Sequence, residues 1–387
     1  MPFASALSEH PVASFATGEV AGAVLEALGE RPDLVLLFVT APHAGVLDEI
    51  AATVEAVLHP LALVGCAAAS VVGTGREVEE TPSVSLWAAR LGPLVPVALR
   101  AHRSGDGWEF SGWPTGFPFD PGMVLLVADP YTFPVDEFLP VVDADLPGVP
   151  VVGGYASAAR GPGGNRLVTG GRTIDEGAVG VVIGPGVEVA TVVSQGCRPF
   201  GQPLTVTRSE RNVIQELAGS PVMDQLIDQA QSGLPPEDLA LLESGGLHVG
   251  LVVDEHRAEF GPGDFIVRTV VGIDQDSGAL AVNDEVPLGT TLQFHLRDAT
   301  SADHDLRLLL RGAEADGALL FTCNGRGSRL FDSPDHDAAA LADAVGSVPN
   351  AGFFAAGEFG PVAGHNFLHG FTASMVLFRD RIGTTRR

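Results

Sequence analysis

The stretch richest in chemical possibility is Cys323-Asn324-Gly325-Arg326-Gly327. Its two glycines let the backbone turn tightly and present N–H groups to an anion. The Arg326 guanidinium adds a planar fork matched to a carboxylate or phosphate. The plainer reading is a strand-to-helix turn with a solvated arginine. Glu358, in Ala356-Gly357-Glu358-Phe359-Gly360, offers a carboxylate to a ligand ammonium. With Arg326 it would clamp an amino-acid zwitterion; equally, the two would satisfy each other as a structural ion pair. Asn324 and His365 are weaker candidates to line the same pocket. Cys323 as a nucleophile needs a lowered pKa and a base. His365 or His369 would have to serve, and no motif supplies either. The sequence therefore favours a buried, poorly reactive thiol.

His365-Asn-Phe-Leu-His369 has the spacing that puts two imidazoles on one helix face, but Gly364 and Gly370 bracket it tightly. It lacks the glutamate of H-E-x-x-H, and no third ligand stands at a usual spacing, so no metal site is expected. Asp332-Ser-Pro-Asp335-His336-Asp337 reads as a helix entry capped by Ser333 or Asp335. Gly65-Cys66-Ala-Ala-Ala-Ser70 and Gly153-Gly-Tyr-Ala-Ser157 each place a hydroxyl beyond a glycine. Neither spells G-x-S-x-G, and the glycine-rich loops do not spell G-x-G-x-x-G, so tight turns are the default reading.

The 387 residues include 48 acidic and 22 basic ones, a formal charge of −26, and every basic residue is arginine. Without lysine there is no P-loop phosphate contact, no kinase strand lysine and no Schiff base. The charge argues against a nucleic-acid surface and against a polybasic membrane anchor. Cys66, Cys197 and Cys323 lie far apart and form no C-x-x-C pair. No cofactor is indicated. No signal peptide or membrane-length apolar run stands out, so a cytoplasmic location is expected. With 45% apolar and 18% charged residues, the chain should fold throughout.

These residues need elements to position them, and one order recurs three times. Leu34–Val39, Met123–Val127 and Gly317–Thr322 read as buried strands; Val46–Leu58, Val135–Val142 and Asp337–Val345 read as the helices after them. Each copy then has a second strand running into a glycine, at Gly65, Gly153 and Gly352. A glycine-rich loop and a closing strand finish it: Ser83–Ala88, Gly177–Ile183 and Phe371–Phe378. The class is α/β with mixed sheets, in two domains built from strand–helix–strand–Gly-loop–strand units. Glycine past a strand end would let backbone approach a ligand. Between copies two and three, Val187–Gln195 reads as a strand, Gly196–Gly201 as a turn and Arg211–Leu217 as helical. Helices Pro221–Gln231 and Glu237–Leu242 follow. Strands are expected at Phe265–Gly272, Ala279–Val282 and Thr291–Arg297, then a helix at Ala302–Leu310. The domain division is placed near residue 220, giving 1–220 and 221–387.

Taken in order, several motifs make the chain resemble the FIST family, in which a FIST N-terminal domain precedes a FIST C-domain. They are Leu34 to His43, Val64-Gly65-Cys66-Ala67 with its glycine-rich follow-on, and Gln195-Gly-Cys-Arg-Pro-Phe-Gly201. Arg268-Thr-Val-Val-Gly272, Cys323 to Gly327, Gly357 to Pro361 and His365 to Thr372 continue the series. The resemblance implies a sensory, small-ligand-binding domain pair linked to signal transduction. It suggests amino acids or related metabolites as ligands and an unidentified signalling protein as partner; it carries no catalytic residues onto this chain. The expected ligand set is Arg326, Glu358, Asn324, His365 and Cys323, with a small carboxylate as partner. The alternative is an enzyme acting on an amino-acid-like metabolite through Cys323 or a Glu358/His pair, and a pure scaffold ranks third.

Overall fold

Strands covered on both faces must be apolar throughout, and the helices that cover them need one apolar face. The computed structural model describes residues 2–105, 107–257, 259–261, 263–274 and 276–380. After β1 (Phe3–Ser8) and α1 (Ala13–Leu28), the first segment holds β2 (Leu34–Thr40), α2 (Leu47–Leu58) and β3 (Ala62–Ala68). A hairpin of β4 (Ser70–Gly73) and β5 (Arg76–Glu79) follows, then β6 (Val84–Ala89). A second hairpin, β7 (Leu94–Ser104) and β8 (Gly107–Ser111), leads to the second segment. That segment holds β9 (Met123–Ala128), α3 (Val135–Asp145), β10 (Val151–Tyr155), the hairpin β11 (Leu167–Thr169) and β12 (Arg172–Ile174), and β13 (Ala178–Ile183). Then come β14 (Val187–Ser194), β15 (Cys197–Glu210), β16 (Val213–Leu217), β17 (Ser220–Pro221), α4 (Val222–Gly233) and α5 (Pro236–Glu243). β18 (Leu247–Val252), β19 (Phe265–Ile273), β20 (Leu280–Val282), β21 (Thr291–Arg297) and α6 (Ala299–Leu309) follow. The third segment holds β22 (Gly317–Cys323), α7 (His336–Val345), β23 (Asn350–Ala355), the hairpin β24 (Glu358–Val362) and β25 (His365–His369), and β26 (Ala373–Asp380).

The chain is α/β with mixed sheets. Its two compact units are not consecutive halves: residues 1–193 with 307–387 form one, and 194–306 form the other. The division near residue 220 is thus one of sequence order, whereas the compact units partition the chain otherwise.

In the larger unit, all three segments pair their strands alike. The first strand runs parallel to the second and antiparallel to the last, as in β2 with β3 and β6, β9 with β10 and β13, and β22 with β23 and β26. The hairpin of each segment leaves for another segment's sheet. β4 pairs with β23, β11 with β3, and β24 with β10, a closed cycle of exchange. Residues on one face of each sheet, among them Leu34, Leu36, Phe38, Leu125, Val127, Phe321 and Phe353, meet in a single shared core. On the other face, Val35, Leu37 and Val39 pack with α1 and α2 residues such as Val20, Val24, Ile50 and Val54. Period-two alternation with both faces buried explains the unbroken apolar runs.

Gly65, Gly153 and Gly352 stand opposite Leu37, Leu126 and Leu320. A Cβ there would come within 1.8, 1.8 and 1.7 Å of the partner's carbonyl oxygen. The sequence reading placed these glycines past the strand ends, as room for a ligand. They lie inside the second strands and make room for the neighbouring backbone.

In the smaller unit, the ring β15-β21-β18-β19-β20-β16 closes through a β15–β16 pairing, and every pairing within it is antiparallel. Closure leaves the ring no edge strand. Phe200, Ile214, Leu217, Val249, Leu280, Leu292 and Phe294 fill its core, with Val222 and Leu226 of α4. Two expectations are corrected here. Arg211–Leu217, read as helical, contains strand β16, and the turn at Gly196–Gly201 lies largely within β15. The apolar spacing Val213, Ile214, Leu217 fits either period, and ring closure decides it. Among the described residues no helix is long and apolar enough to cross a membrane.

Candidate functional site

Five strands of the larger unit, β2, β3, β10, β22 and β23, end around one cavity of about 440 Å³. The first segment lines it with Ala41, Pro42, Ala69 and Glu80, the second with Ser157 to Arg160, the third with Asn324, Arg329 and Ala356. This is where open α/β sheets present their loops to ligands. Hydrogen bonds across segments fix the lining. Ser157 Oγ accepts from the Ala69 N–H at 3.0 Å and donates to the Phe354 carbonyl. The Asn324 N–H donates to Ala355 O at 2.9 Å, and the Ala356 N–H donates to Tyr155 O at 3.1 Å. Arg329 donates from Nη2 to Glu80 Oε1 at 2.9 Å and from Nη1 to Asn324 O at 3.3 Å. Both side chains of the Arg329–Glu80 pair are largely exposed. Glu80 holds φ at +57°, a left-handed conformation that costs a non-glycine residue energy. Arg160 is exposed.

Arg326 does not line this cavity. It is fully buried, and its fork grips Asp337 through Nε–Oδ2 at 2.7 Å and Nη2–Oδ1 at 2.8 Å. The solvated turn is therefore excluded, and so is an ion pair closed with Glu358. Its guanidinium lies over the Phe331 ring at 5.2 Å, and Phe331 stacks on His336. Asp337 also accepts from Thr322 Oγ1 at 2.6 Å and lies 2.9 Å from His336 Nδ1. Burial alone would raise the Asp337 pKa; Arg326 overcomes it and holds the carboxyl well below the usual range.

The helix entry also differs from expectation. Asp335 precedes α7, but its carboxylate accepts the Glu77 N–H rather than a helix N–H. Glu77, from the exchanged β4–β5 hairpin, accepts the Ala338 N–H at 2.9 Å instead. Burial first, then the Asp337 anion, raise the Glu77 pKa to about 8. An unfolded glutamate titrates near ~4.3. Between those values the folded chain keeps a proton that the unfolded chain has lost, so this group makes stability fall as pH rises, by up to about 1.4 kcal/mol per pH unit. Glu77→Gln should remove that slope. Urea unfolding at pH 5, 6.5 and 8 should show the wild type losing ground to the variant on going up in pH. A wild type that gains on the variant instead would mean an ionised Glu77.

Glu358 is fully buried at the start of β24, where its Oε2 accepts the Thr372 N–H at 3.1 Å. Burial pushes its carboxyl well above the usual value. Cys323 ends β22 and is partly exposed, and none of the three cysteines forms a disulfide. His365 begins strand β25, exposed, with Nδ1 3.7 Å from Asp143 Oδ2. His369 is buried on the same strand, with Nε2 3.0 Å from Gly360 O. The possible imidazole-bearing helix is thus a strand. Of the residues expected to bind, Asn324 reaches the cavity; Arg326, Glu358 and Cys323 cluster behind it; His365 lies on the β24–β25 hairpin. Sequence reasoning missed Glu80, Arg160 and Arg329 as lining. Arg329 sits three places after Arg326 in the same loop, and Glu80 closes the acidic run from Glu77, but nothing in one sequence places them together.

Family models match the chain twice in succession, a FIST N domain over residues 33–220 and a FIST C domain over residues 222–361. An uncharacterized protein of Mycobacterium tuberculosis strain H37Rv is 43% identical over 384 residues, 97% of this chain and 98% of its own length. An uncharacterized protein of Mycobacterium bovis is 43% identical over 380 residues, 96% of this chain and 97% of its own.

Proposed function

This chain belongs to the family that joins a FIST N domain to a FIST C domain, and from that membership we propose that it is a cytoplasmic sensor of a small carboxylate-bearing metabolite, an amino acid or a relative of one. FIST domains are associated with sensory roles in signal transduction. The observation that carries the ligand reading is the cavity at five strand ends, where Arg160 and Arg329 face it beside Glu80 and Asn324. In a chain of formal charge −26, two guanidiniums on one cavity make a local attractor for an anion. A carboxylate takes the arginines, an ammonium takes Glu80, and the Asn324 amide serves either. The exposed Arg329–Glu80 pair contributes little by itself, so a ligand can displace it. Arg326, gripping Asp337, fixes the loop that carries Arg329; Cys323 and Glu358 support the strand ends. A separate signalling protein receives the output.

Thermal unfolding against a panel of amino acids and small carboxylates tests this. At about 100 times its dissociation constant, a ligand stabilises the fold by about 2.7 kcal/mol. Arg160→Ala with Arg329→Ala should abolish that shift and change the unliganded stability by less than about 1 kcal/mol. A genuine ligand bound unchanged by the double variant would refute the site. Recovery of the ligand chemically altered would replace the sensor by the enzyme.

A further inference from the structure

Cys323 stands one residue before Asn324, which lines the cavity. Its backbone N–H donates to Thr372 O at 2.9 Å, and the Thr372 N–H donates to Glu358 Oε2 at 3.1 Å. Thr372 thus ties the Cys323 backbone to the Glu358 carboxyl, and the thiol lies near enough to that carboxyl to interact with it. The Gly325 N–H donates to the Cys323 sulfur at 3.4 Å. Arg326 lies close enough for its charge to interact with the sulfur. Two atoms of this cluster, Glu358 Oε1 and Arg326 Nη1, have no hydrogen-bond partner among the described residues, and both belong to fully buried side chains. Buried polar atoms left unmatched lose the hydrogen bonds that water would give them, and charged ones lose most. An unmatched acceptor and an unmatched donor around one sulfur point to a polar group that the resting cluster lacks.

We propose that Cys323 is a redox-sensing thiol, oxidised by a hydroperoxide to a sulfenic acid inside this cluster. The sulfur attacks the terminal peroxide oxygen, so that an S–O bond forms and the O–O bond breaks. Sulfur loses two electrons, and the peroxide is reduced to an alcohol, or to water if hydrogen peroxide reacts. The thiol proton passes to Glu358 as the proton already on Glu358 goes to the leaving oxygen. Thiol plus hydroperoxide therefore gives sulfenic acid plus alcohol or water. Burial shifts the Glu358 carboxyl towards its protonated form, the form with a proton to give. The Gly325 N–H and the Arg326 charge face the sulfur that makes the attack. The oxygen placed on sulfur supplies the acceptor that Arg326 Nη1 lacks. The sequence favoured an inert thiol because no motif supplied a proton acceptor; β24 supplies Glu358. Cys66, by contrast, is wholly buried, which pushes its thiol up and leaves it unreactive.

The test treats the full chain with hydrogen peroxide, traps sulfenic acid with dimedone and maps the labelled peptides by mass. Cys323 should label faster than Cys197 and Cys66 by at least about tenfold. Glu358→Gln, which keeps the shape but has no acidic proton, should slow Cys323 by about 100-fold with an unchanged far-UV spectrum. Labelling of Cys323 no faster than that of Cys197 overturns the proposal, and so does a folded Glu358→Gln protein that reacts at the wild-type rate. If that variant does not fold, the comparison of cysteines in the wild type decides alone.

Discussion

Arg326→Ala should destabilise the fold by about 3–5 kcal/mol, the cost of leaving a buried charge without its partner. Asp337 is fully buried and receives two guanidinium bonds at 2.7 and 2.8 Å. Thr322 and His336 remain after the change, but neither replaces a fixed positive charge. Whole domains are stable by only about 5–15 kcal/mol, so the variant should be largely unfolded at moderate urea. Replacing both partners by apolar residues of similar volume, Arg326→Met with Asp337→Leu, should recover much of the loss, since no charge is then stranded. Urea unfolding of the two single variants and the double variant measures this. A loss below about 1 kcal/mol for Arg326→Ala would mean that water reaches Asp337 and that the pair is not sealed. For the same reason Arg326 is a poor probe of ligand binding, and Arg160 and Arg329 are the ones to change.

Gly352→Ala should be at least as damaging. An alanine Cβ would sit 1.7 Å from the Leu320 carbonyl oxygen, far inside any contact distance, and that oxygen belongs to a central strand with no room to retreat. The strands must separate or the register must slip, and a loss beyond about 4 kcal/mol is expected. Gly65→Ala and Gly153→Ala should behave alike, opposite Leu37 and Leu126. Gly22, inside α1 with nothing within 4 Å of its Cβ, is the control. Alanine there should stabilise by about 0.5–1 kcal/mol, because a helix-interior glycine is unfavourable. Soluble yield and thermal melts of the four variants separate the cases. A folded, wild-type-like Gly352→Ala protein would show that β22 and β23 are not held this closely.

The sequence made the buried parallel pairs legible because strands covered on both faces leave continuous apolar runs, such as Leu34 to Val39. It also marked the three glycines, though for the wrong reason: a close approach of two backbones and a close approach of a ligand demand the same residue. The hairpins β4–β5 and β24–β25 were hidden where the sequence read as glycine-rich loops, an acidic stretch and a histidine pair at helical spacing. Short, partly polar strands carry little periodic signal, and their partners, β23 and β10, are remote in sequence. The site suffered most from that. Arg326 was visible as a chemically rich residue, but its partner Asp337 read as a helix-entry acid, and Glu77 was out of view on an exchanged hairpin. Arg160 carried no signal, because an arginine in a glycine-rich loop ordinarily faces solvent.

The exchange of hairpins sets a timetable for a nascent chain. Val72 must wait to pair with Gly352, and Gly65 with Val168. Translation at ~5–20 residues per second puts the first of those delays on the order of tens of seconds. Throughout it, the β4 edge that will take β23 stays open, an apolar edge of the kind that templates aggregation. No single segment can complete its own sheet during synthesis, so the larger unit should become resistant to protease only after β23 has left the ribosome. Chains stalled before that point should need chaperone protection for their whole lifetime.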